Sequence, residues 1–598
     1  MNEKLAKRTL YCDLCVIGGG LSGSFAALSA ARHGAKVILV QDRPMLGGNA
    51  SSEIRMWVRG AKKKFDRETG LISELEERNI YYNPTLSHSL FDATLYGMLE
   101  ENENITMLLN TSCLDAKVSG KNITSITAWQ TTTYTYYEVK SKLFCDCSGD
   151  SILAPLVNAE YKHGRESKSE YGESLAKDIA DTKTMGMSII LAARETDHPV
   201  KFTPPPFANY YPTDESFSVG GKKIEYSLNR DHIPATSGCN LWWVELGGEG
   251  DSIHDADKVR KELLASIYGV WDHVKNHGDH GMENWDIEWI GFLPGKRESR
   301  RYVGKYVMTE HDIVSGGNFY DEIAYGGWPL DDHNPYGMRK NNEETFATIM
   351  TPVTEIYGIP LRCLISKDIN NLTFAGRNIS VTHVALSSTR VIATCSLLGQ
   401  AVGTLNALAI KYDKLPEDIA SEKYQEVQNI LLDDGMHLPH VKRQTSALTK
   451  SAKINLSESE LSVLFNGIER PRTELNENLI SLDIGSTLTF EYSEPKQFNK
   501  LRICFDPDFD RSSITPNYKM QVFTMKLHTG KDFVPVKVAK TLVKTFEVYA
   551  DGVLIKKVEN NFRRLVKLDL GITAKKIEIK WLETNGDEKV RLYSIDFN

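Results

Sequence analysis

Residues 13–52 read DLCVIGGGLSGSFAALSAARHGAKVILVQDRPMLGGNASS. Leu14 to Ile17 is an apolar run of strand type, and Gly18, Gly20 and Gly23 follow it as G-x-G-x-x-G. Ser24 to His33 is small, apolar and helix-compatible, and Lys36 to Val40 is a second buried strand. Strand, glycine turn, helix and strand make a βαβ unit. In such a unit the glycines allow a tight turn and let a pyrophosphate approach the helix N-terminus. There the unpaired N–H groups and the helix dipole favour negative charge. A glycine cluster in a plain loop would lack the flanking strand and helix.

A second glycine element, Gly47-Gly48-Asn49-Ala50-Ser51-Ser52, follows the second strand. Read together, DLCVIGGGLSG and VILVQDRPMLGGNASSEIR resemble the FAD-dependent oxidoreductases of the glutathione-reductase-type fold. The resemblance implies FAD, with the second glycine turn along its pyrophosphate and ribityl chain. Gly18, Gly20, Gly23, Gly47, Gly48, Asn49, Ser51 and Ser52 are then cofactor-binding candidates. These families end the second strand with an acid that holds the adenosine ribose. That position, 18 residues after Gly23, is Gln41 here, with Asp42 beside it. Both are candidates for the ribose contact.

The 598 residues are too many for one core, so roughly two to four domains are expected. Hydrophobic residues at 41% and charged residues at 25% are those of a globular protein. A net charge of -8 argues against nucleic acid as the partner. Lys62-Lys63-Lys64 is read as a solvated loop. Met1 to Tyr11 has no apolar h-region, and no stretch of membrane length stands out, so a cytoplasmic protein without a membrane partner is expected. Nine scattered cysteines do not suggest a disulfide framework. Cys12 and Cys15 fall three apart on a strand, on opposite faces, and read as packing rather than as a redox pair.

Further along, ITMLLNTSCLDAKV, a turn at Ser119-Gly120-Lys121 and ITSITAW read as a hairpin. The resemblance implies an adenine contact from its backbone at Cys113. KLFCDCSGDSI at 142–152 runs a strand into Ser148-Gly149-Asp150. It reads as a plain Gly-Asp turn or, by the resemblance, as the turn whose Gly149 and Asp150 touch the ribityl or pyrophosphate region. Trp242, Trp243, Trp271, Trp285 and Trp289 either stack on sugar rings or fill a core. His273, His277 and His280 cluster near the end of an expected helix, but no carboxylate pattern accompanies them, and no metal is assigned.

GFLPGKRESRRYVGKYVMTEHDI at 291–313 concentrates charge, with Arg300 and Arg301 before a strand, and DEIAYGGWPLDDHNP at 321–335 sets His333 beside two aspartates. An imidazole beside carboxylates is a proton-transfer candidate, or part of a surface turn. FAGRNISVTHVALSSTRVIATCSLLGQAVG at 374–403 runs from a strand through Gly376-Arg377 into a small-residue helix. By the resemblance, Gly376, Arg377, Asn378 and His383 lie near the flavin ring, and Gly403 in the following helix permits close backbone approach; His383 is read as a base or as a core histidine. As a set, these motifs resemble the bacterial FAD-dependent oxidoreductase family related to fumarate-reductase flavoproteins, over about residues 10 to 410.

From Asn455 onward short alternating strands such as TLTFEYS, KLRICFD, KMQVFTM and KIEIKWL suggest a β-sandwich. NGIERP, ADGV and the closing KIEIKWLETNGDEKVRLYSIDF resemble discoidin-type, galactose-binding-like domains, which implies glycan binding, capping or dimerisation.

The expected fold class is α/β: a Rossmann-type FAD-binding domain with an inserted α+β substrate domain, plus a C-terminal all-β sandwich. The expected division is 1–165 and 346–410 for the FAD domain, 166–345 for the substrate domain, 411–453 for a helical linker and 454–598 for the sandwich. Only one dinucleotide fingerprint is present, so a separate electron acceptor or donor is expected, and an oligomer stays open. The expected chemistry is hydride transfer between a small polar substrate and flavin N5, with a sugar or glycoside alcohol first. His383 or His333 would move the proton, and Arg300 or Arg301 would position an anionic or polyol group. The alternatives are dehydrogenation or reduction of a C=C bond in a carboxylate substrate, and a non-catalytic glycan-binding protein with a vestigial Rossmann core.

Overall fold

A computed structural model describes residues 5–219, 222–223, 234, 240–339, 348–471, 478–516, 525–526 and 530–598. The strand expected at KMQVFTM lies almost wholly outside the described residues. The chain divides into two compact units. The first comprises Met1–Lys62, Ser87–Val427 and Met525–Phe533; the second comprises Lys63–Leu86, Gln428–Thr524 and Val534–Asn598. The helix Leu71–Tyr82, expected with the flavin domain, belongs to the second unit.

In the first unit, β1 (Ala6–Ile17), α1 (Leu21–Arg32) and β2 (Val37–Val40) form the expected βαβ element. β1 is longer than its apolar run, because its exposed half Ala6–Cys12 pairs with the start of a partner strand. That partner is β6 (Thr135–Asp146), and β3 (Ile105–Leu108) flanks β2. The parallel order is β3-β2-β1-β6, completed by the strand Leu372–Phe374 on the other edge of β6. Nearly every residue of β2 and of the second half of β1 is buried, as parallel strands covered on both faces require. The expected hairpin is β4 (Thr111–Ser119) and β5 (Asn122–Gln130), antiparallel to each other and to the first half of β6. ITML, expected in that hairpin, is instead the parallel strand β3.

α1 packs against the helix Ile392–Tyr412 along small residues. A Cβ on Gly399 would stand 2.1 Å from the Ser22 carbonyl oxygen, and one on Gly403 would stand 2.4 Å from that of Ala26. Ser29 and Thr404 exchange a hydroxyl hydrogen bond of 2.9 Å across this contact. By length and composition that helix could cross a bilayer, but it is almost wholly buried as the core helix of this unit. Between the two parts of the parallel sheet lie small antiparallel sheets and the helix Ala256–Asp272, around a core that includes Leu191, Leu263, Trp271 and Trp285.

The second unit is built on a seven-stranded antiparallel sheet. Its long strands Thr487–Phe505 and Leu565–Thr584 pair with two register breaks, which let them bend. Phe490, Phe498, Phe505, Phe546 and Trp581 are buried on it. Among the described residues these strands form one hydrogen-bonded sheet. Its hydrogen bonding does not separate two layers.

Candidate active site

The glycine turns face each other. Gly18 has φ +97°, and a Cβ there would lie 2.5 Å from the Cys147 carbonyl oxygen. Gly47 N–H donates to Gly19 O at 2.8 Å, and the Gly48 backbone passes so close that its Cβ would meet the Gly20 Cα at 3.1 Å. A Cβ on Gly20 would meet only the Gly48 Cα, at 3.9 Å, so a groove stays open beside that turn. α1 begins there without a side-chain cap, which leaves its first N–H groups for an anion. Gly23 serves packing: a Cβ on it would stand 1.8 Å from the Gly18 carbonyl oxygen.

This groove is one end of a cavity of about 920 Å³, at the large end of the ~300–1,000 Å³ common for ligand pockets. Its lining beyond the second strand includes Gln41, Asp42, Arg43, Thr111, Ser112 and Cys113. Gln41 Oε1 accepts from Gly19 N–H at 2.7 Å, and its Nε2 donates to the Met45 carbonyl at 2.9 Å. The amide is thus spent on shaping the turn, while the exposed Asp42 stands beside it.

At the middle of the cavity Gly149 has φ +77°, and a Cβ there would meet Arg377 Nη1 at 2.5 Å. Asp150 bonds Arg377 Nη2 and Lys296 Nζ, each at 2.6 Å, and accepts from Ser299 Oγ at 2.8 Å. Burial would raise its pKa, but Arg377 and Lys296 outweigh that and hold the carboxyl down at about 2. Gly376, Arg377, Val391 and Ile392 also line the cavity, with the N-terminus of the helix Ile392–Tyr412 among them. Asn49 lines it too, its Nδ2 bonded to the Lys296 carbonyl at 3.0 Å.

The far end is rich in cations and tryptophans: Arg59, Arg297 and Arg390 with Trp57, Trp242 and Trp328. Arg300 lines the cavity too, with its guanidinium 5.5 Å over Tyr161. Arg59 lies over Trp328 at 5.1 Å, and Trp57 meets Trp242 edge-on at 5.5 Å. His333 reaches this end from the strand Leu330–His333. Its Nδ1 donates to Glu245 Oε2 at 2.8 Å, and its Nε2 lies 3.4 Å from Asp331 Oδ2. Burial would discharge the ring, but Glu245 and Asp331 outweigh it and raise its pKa above the usual imidazole value. Glu245 is held low against its own burial by Arg297 and His333. Arg390 bonds the Asp331 carbonyl at 3.0 Å, and its own burial lowers its pKa.

Six expected site residues lie outside the cavity lining, Gly23 among them. His383 is clamped in the core: Nδ1 on Glu298 at 2.9 Å and Nε2 on Asp332 at 3.1 Å. Burial opposes its charge, yet these carboxylates push its pKa up to about 10, so it is a structural imidazolium rather than a base facing a substrate. Arg301, 1% exposed, bonds Glu166 and Glu298 and the carbonyls of Gly164 and Val381, and holds that same core network. Gly403 packs helices, as above. Ser51 Oγ donates to Gly48 O at 2.7 Å and Ser52 Oγ to the Met45 sulfur at 2.9 Å; both fasten the second turn from behind. Of the five tryptophans from 242 to 289, Trp242 and Trp243 line the cavity, Trp271 and Trp285 fill a core, and Trp289 lies under Arg55 at 4.0 Å.

Trp57, Arg59, Glu245, Lys296, Arg297 and Arg390 were missed. Lys296 and Arg297 sit in the same charged run as Arg300 and Arg301. The run alternates between cavity and core, which only the backbone path decides. Glu245 had one available signal, its place two residues after the tryptophan pair.

Residues 13–431 match the family described as FAD dependent oxidoreductase. A glycerol-3-phosphate dehydrogenase of Mycobacterium leprae is 39% identical over 77 residues, which is 13% of this chain and 13% of that protein. The chain therefore spans only a small part of that relative. Among solved structures, a geranylgeranyl bacteriochlorophyll reductase-like protein of Thermoplasma acidophilum covers 71% of this chain and 86% of its own, at 14% identity and TM-score 0.30. The quinol fumarate reductase of E. coli covers 71% of this chain and 75% of its own, at 10% identity and TM-score 0.27. The open groove at Gly20, the uncapped start of α1 and the glycine walls fit the pyrophosphate of FAD. With a family match over well over half of its length, this chain belongs to the FAD dependent oxidoreductase family and is an FAD-dependent oxidoreductase enzyme.

Proposed function

We propose that the enzyme dehydrogenates a hydroxylated substrate that also carries an anionic group, a sugar acid being the first candidate. One observation carries this reading: among the described residues, the cavity end that holds His333 gathers Arg59, Arg297 and Arg390 against Glu245 and Asp331, between tryptophan faces. Guanidinium groups bind carboxylates with matched geometry, and indoles stack on sugar faces. FAD, when bound, supplies the two-electron acceptor for a hydride leaving the substrate carbon. Arg59 and Arg297 orient the anionic group, the tryptophans exclude water, and His333 takes the hydroxyl proton at Nε2 while Glu245 fixes its Nδ1–H. Asp150, Lys296 and Arg377 form the wall between the cofactor turns and this end.

The raised pKa of His333 favours a second reading. An imidazolium is placed to give a proton, as reduction of a C=C bond beside a carboxylate requires. We assign the C-terminal sheet a galactose-binding-like role. Support comes from the sequence resemblance and from the cluster of Tyr81, Tyr82 and Phe562, in which Tyr81 stacks on Phe562 at 4.0 Å and both tyrosines are exposed.

The test is anaerobic bleaching of the flavin band near ~450 nm by neutral sugars, sugar acids and dicarboxylates in parallel. Bleaching by sugar acids alone is expected. Bleaching by neutral sugars only removes the anionic-substrate reading. Reoxidation of reduced enzyme by an unsaturated carboxylate selects the second.

A further inference from the structure

Away from the cavity, the helix Ala256–Asp272 ends in a wider π turn, His273–His277. Such turns are rare and recur at functional sites. His273 is buried there, with Nδ1 donating to the Tyr211 carbonyl at 2.7 Å. That bond fixes the proton on Nδ1 and aims the Nε2 lone pair outward. The Nε2 of His280 lies 3.1 Å from it. Gly278 makes room for that ring, since a Cβ there would lie 2.3 Å from His280 Nε2. The third group comes from 59 residues upstream: Asp214 Oδ1 lies 3.0 Å from His273 Nε2 and 3.6 Å from His280 Nε2.

We propose that His273, His280 and Asp214 form a binding site for a divalent transition-metal ion of the Zn²⁺ class. Two ring nitrogens and a carboxylate oxygen converge on one point, with all three ligand atoms within 4.8 Å of one another. A tetrahedral Zn²⁺ with bonds of about 2.0–2.1 Å sets neighbouring ligand atoms about 3.3 Å apart. The separations of 3.0, 3.1 and 3.6 Å bracket that value. The Tyr211 carbonyl is the outer-shell acceptor that metal-bound imidazoles normally have. The donor set, two nitrogens and an oxygen without thiolate, suits Zn²⁺ and excludes neither Co²⁺ nor Ni²⁺. A water takes the fourth position. The ion clips the 3-10 turn Asp214–Phe217 to the end of the helix.

The test uses the full flavin-loaded chain, stripped with a chelator and titrated with ZnCl₂, and with CoCl₂ as the spectroscopic probe. One Zn²⁺ per chain is expected by elemental analysis, with tetrahedral Co²⁺ bands in the visible. Asp214→Asn and His280→Gln should weaken binding by at least about tenfold. The exposed His198→Gln is the control and should bind as wild type. Asp214 is itself exposed, so its variant folds, and an unchanged flavin content verifies this. Zn²⁺ should raise the melting temperature of the wild type and leave that of Asp214→Asn unmoved. Substoichiometric Zn²⁺ in the wild type, or full binding in both variants, overturns the site; the two imidazoles then bond each other directly.

Discussion

His333 Nδ1 lies 2.8 Å from Glu245 Oε2, inside a cavity end otherwise dominated by arginine. The two carboxylates around the ring raise its pKa and so favour its protonated form. As the proposed acceptor of a hydroxyl proton it must first be deprotonated. The oxidative rate should therefore rise with pH, through a midpoint above the ~6.5 of a free imidazole. A profile of log kcat from about pH 5 to 10 measures this. A midpoint at or below ~6.5 would remove His333 from the role.

Glu245→Gln takes away one of the charges that hold the proton on His333. The midpoint of that profile should move to lower pH. His333→Gln should lower kcat by about 10²–10⁴-fold at unchanged flavin content. Loss of flavin from His333→Gln would mark the residue as structural instead.

How far the sequence could be read varies by residue. Gly18, Gly47, Gly48 and Gly376 were legible because each has a left-handed φ that only glycine takes without strain, and Gly20 because it leaves room beside the turn. Gly403 misled, since the small residues that admit a cofactor also admit a neighbouring helix. His383 and His333 look alike in sequence, each an imidazole near acids. What separates them is tertiary: Glu298 closes on His383 in the core, while His333 keeps a face toward the cavity. Glu245 and Asp214 were out of reach, because each meets its partner across more than fifty residues of intervening chain.

Asp150 joins Lys296 and Arg377 and is, among the described residues, the carboxylate both are paired with. Its folded pKa of about 2 lies below the model-peptide value, so its stabilisation is present above about pH 4 and is lost as pH falls through about 2. The shift corresponds to about 2 kcal/mol. Asp150→Asn should lower the unfolding free energy by this order at neutral pH, with reduced flavin retention. The gap to wild type should close as pH falls from about 4 to 2. Denaturant titrations at several pH values read it directly.

Gln41 stands where related enzymes have an acid, and restoring the acid should do harm. Gln41→Glu keeps an acceptor for Gly19 N–H but loses the donor to the Met45 carbonyl, and sets a charge against that oxygen. An unpaired buried carbonyl costs about 1–3 kcal/mol, so the variant should melt lower and hold FAD more weakly. Asp42→Ala, at the exposed neighbour, should weaken FAD binding without lowering the melting point of the FAD-free protein. Tighter FAD binding by Gln41→Glu would contradict this account of the turn.

His383 should matter to stability and little to turnover. Its ring bonds Glu298 and Asp332, and its backbone N–H donates to Glu166 Oε2 at 2.8 Å, in a network with the buried Arg301. His383→Ala takes the imidazolium from Asp332 and leaves Glu298 with Arg301 alone, and breaking such a buried pair typically costs about 3–5 kcal/mol. Its folded pKa of about 10 lies above the unfolded value near 6.5, so the stabilisation is complete below about pH 6.5 and is lost as pH rises through about 10. The melting point of His383→Ala should therefore fall most, relative to wild type, below neutral pH, and the difference should shrink toward pH ~10. For the folded, flavin-bound fraction, kcat should stay within about threefold of wild type. A loss of kcat comparable to that of His333→Gln, at equal flavin content, would return His383 to the catalytic set.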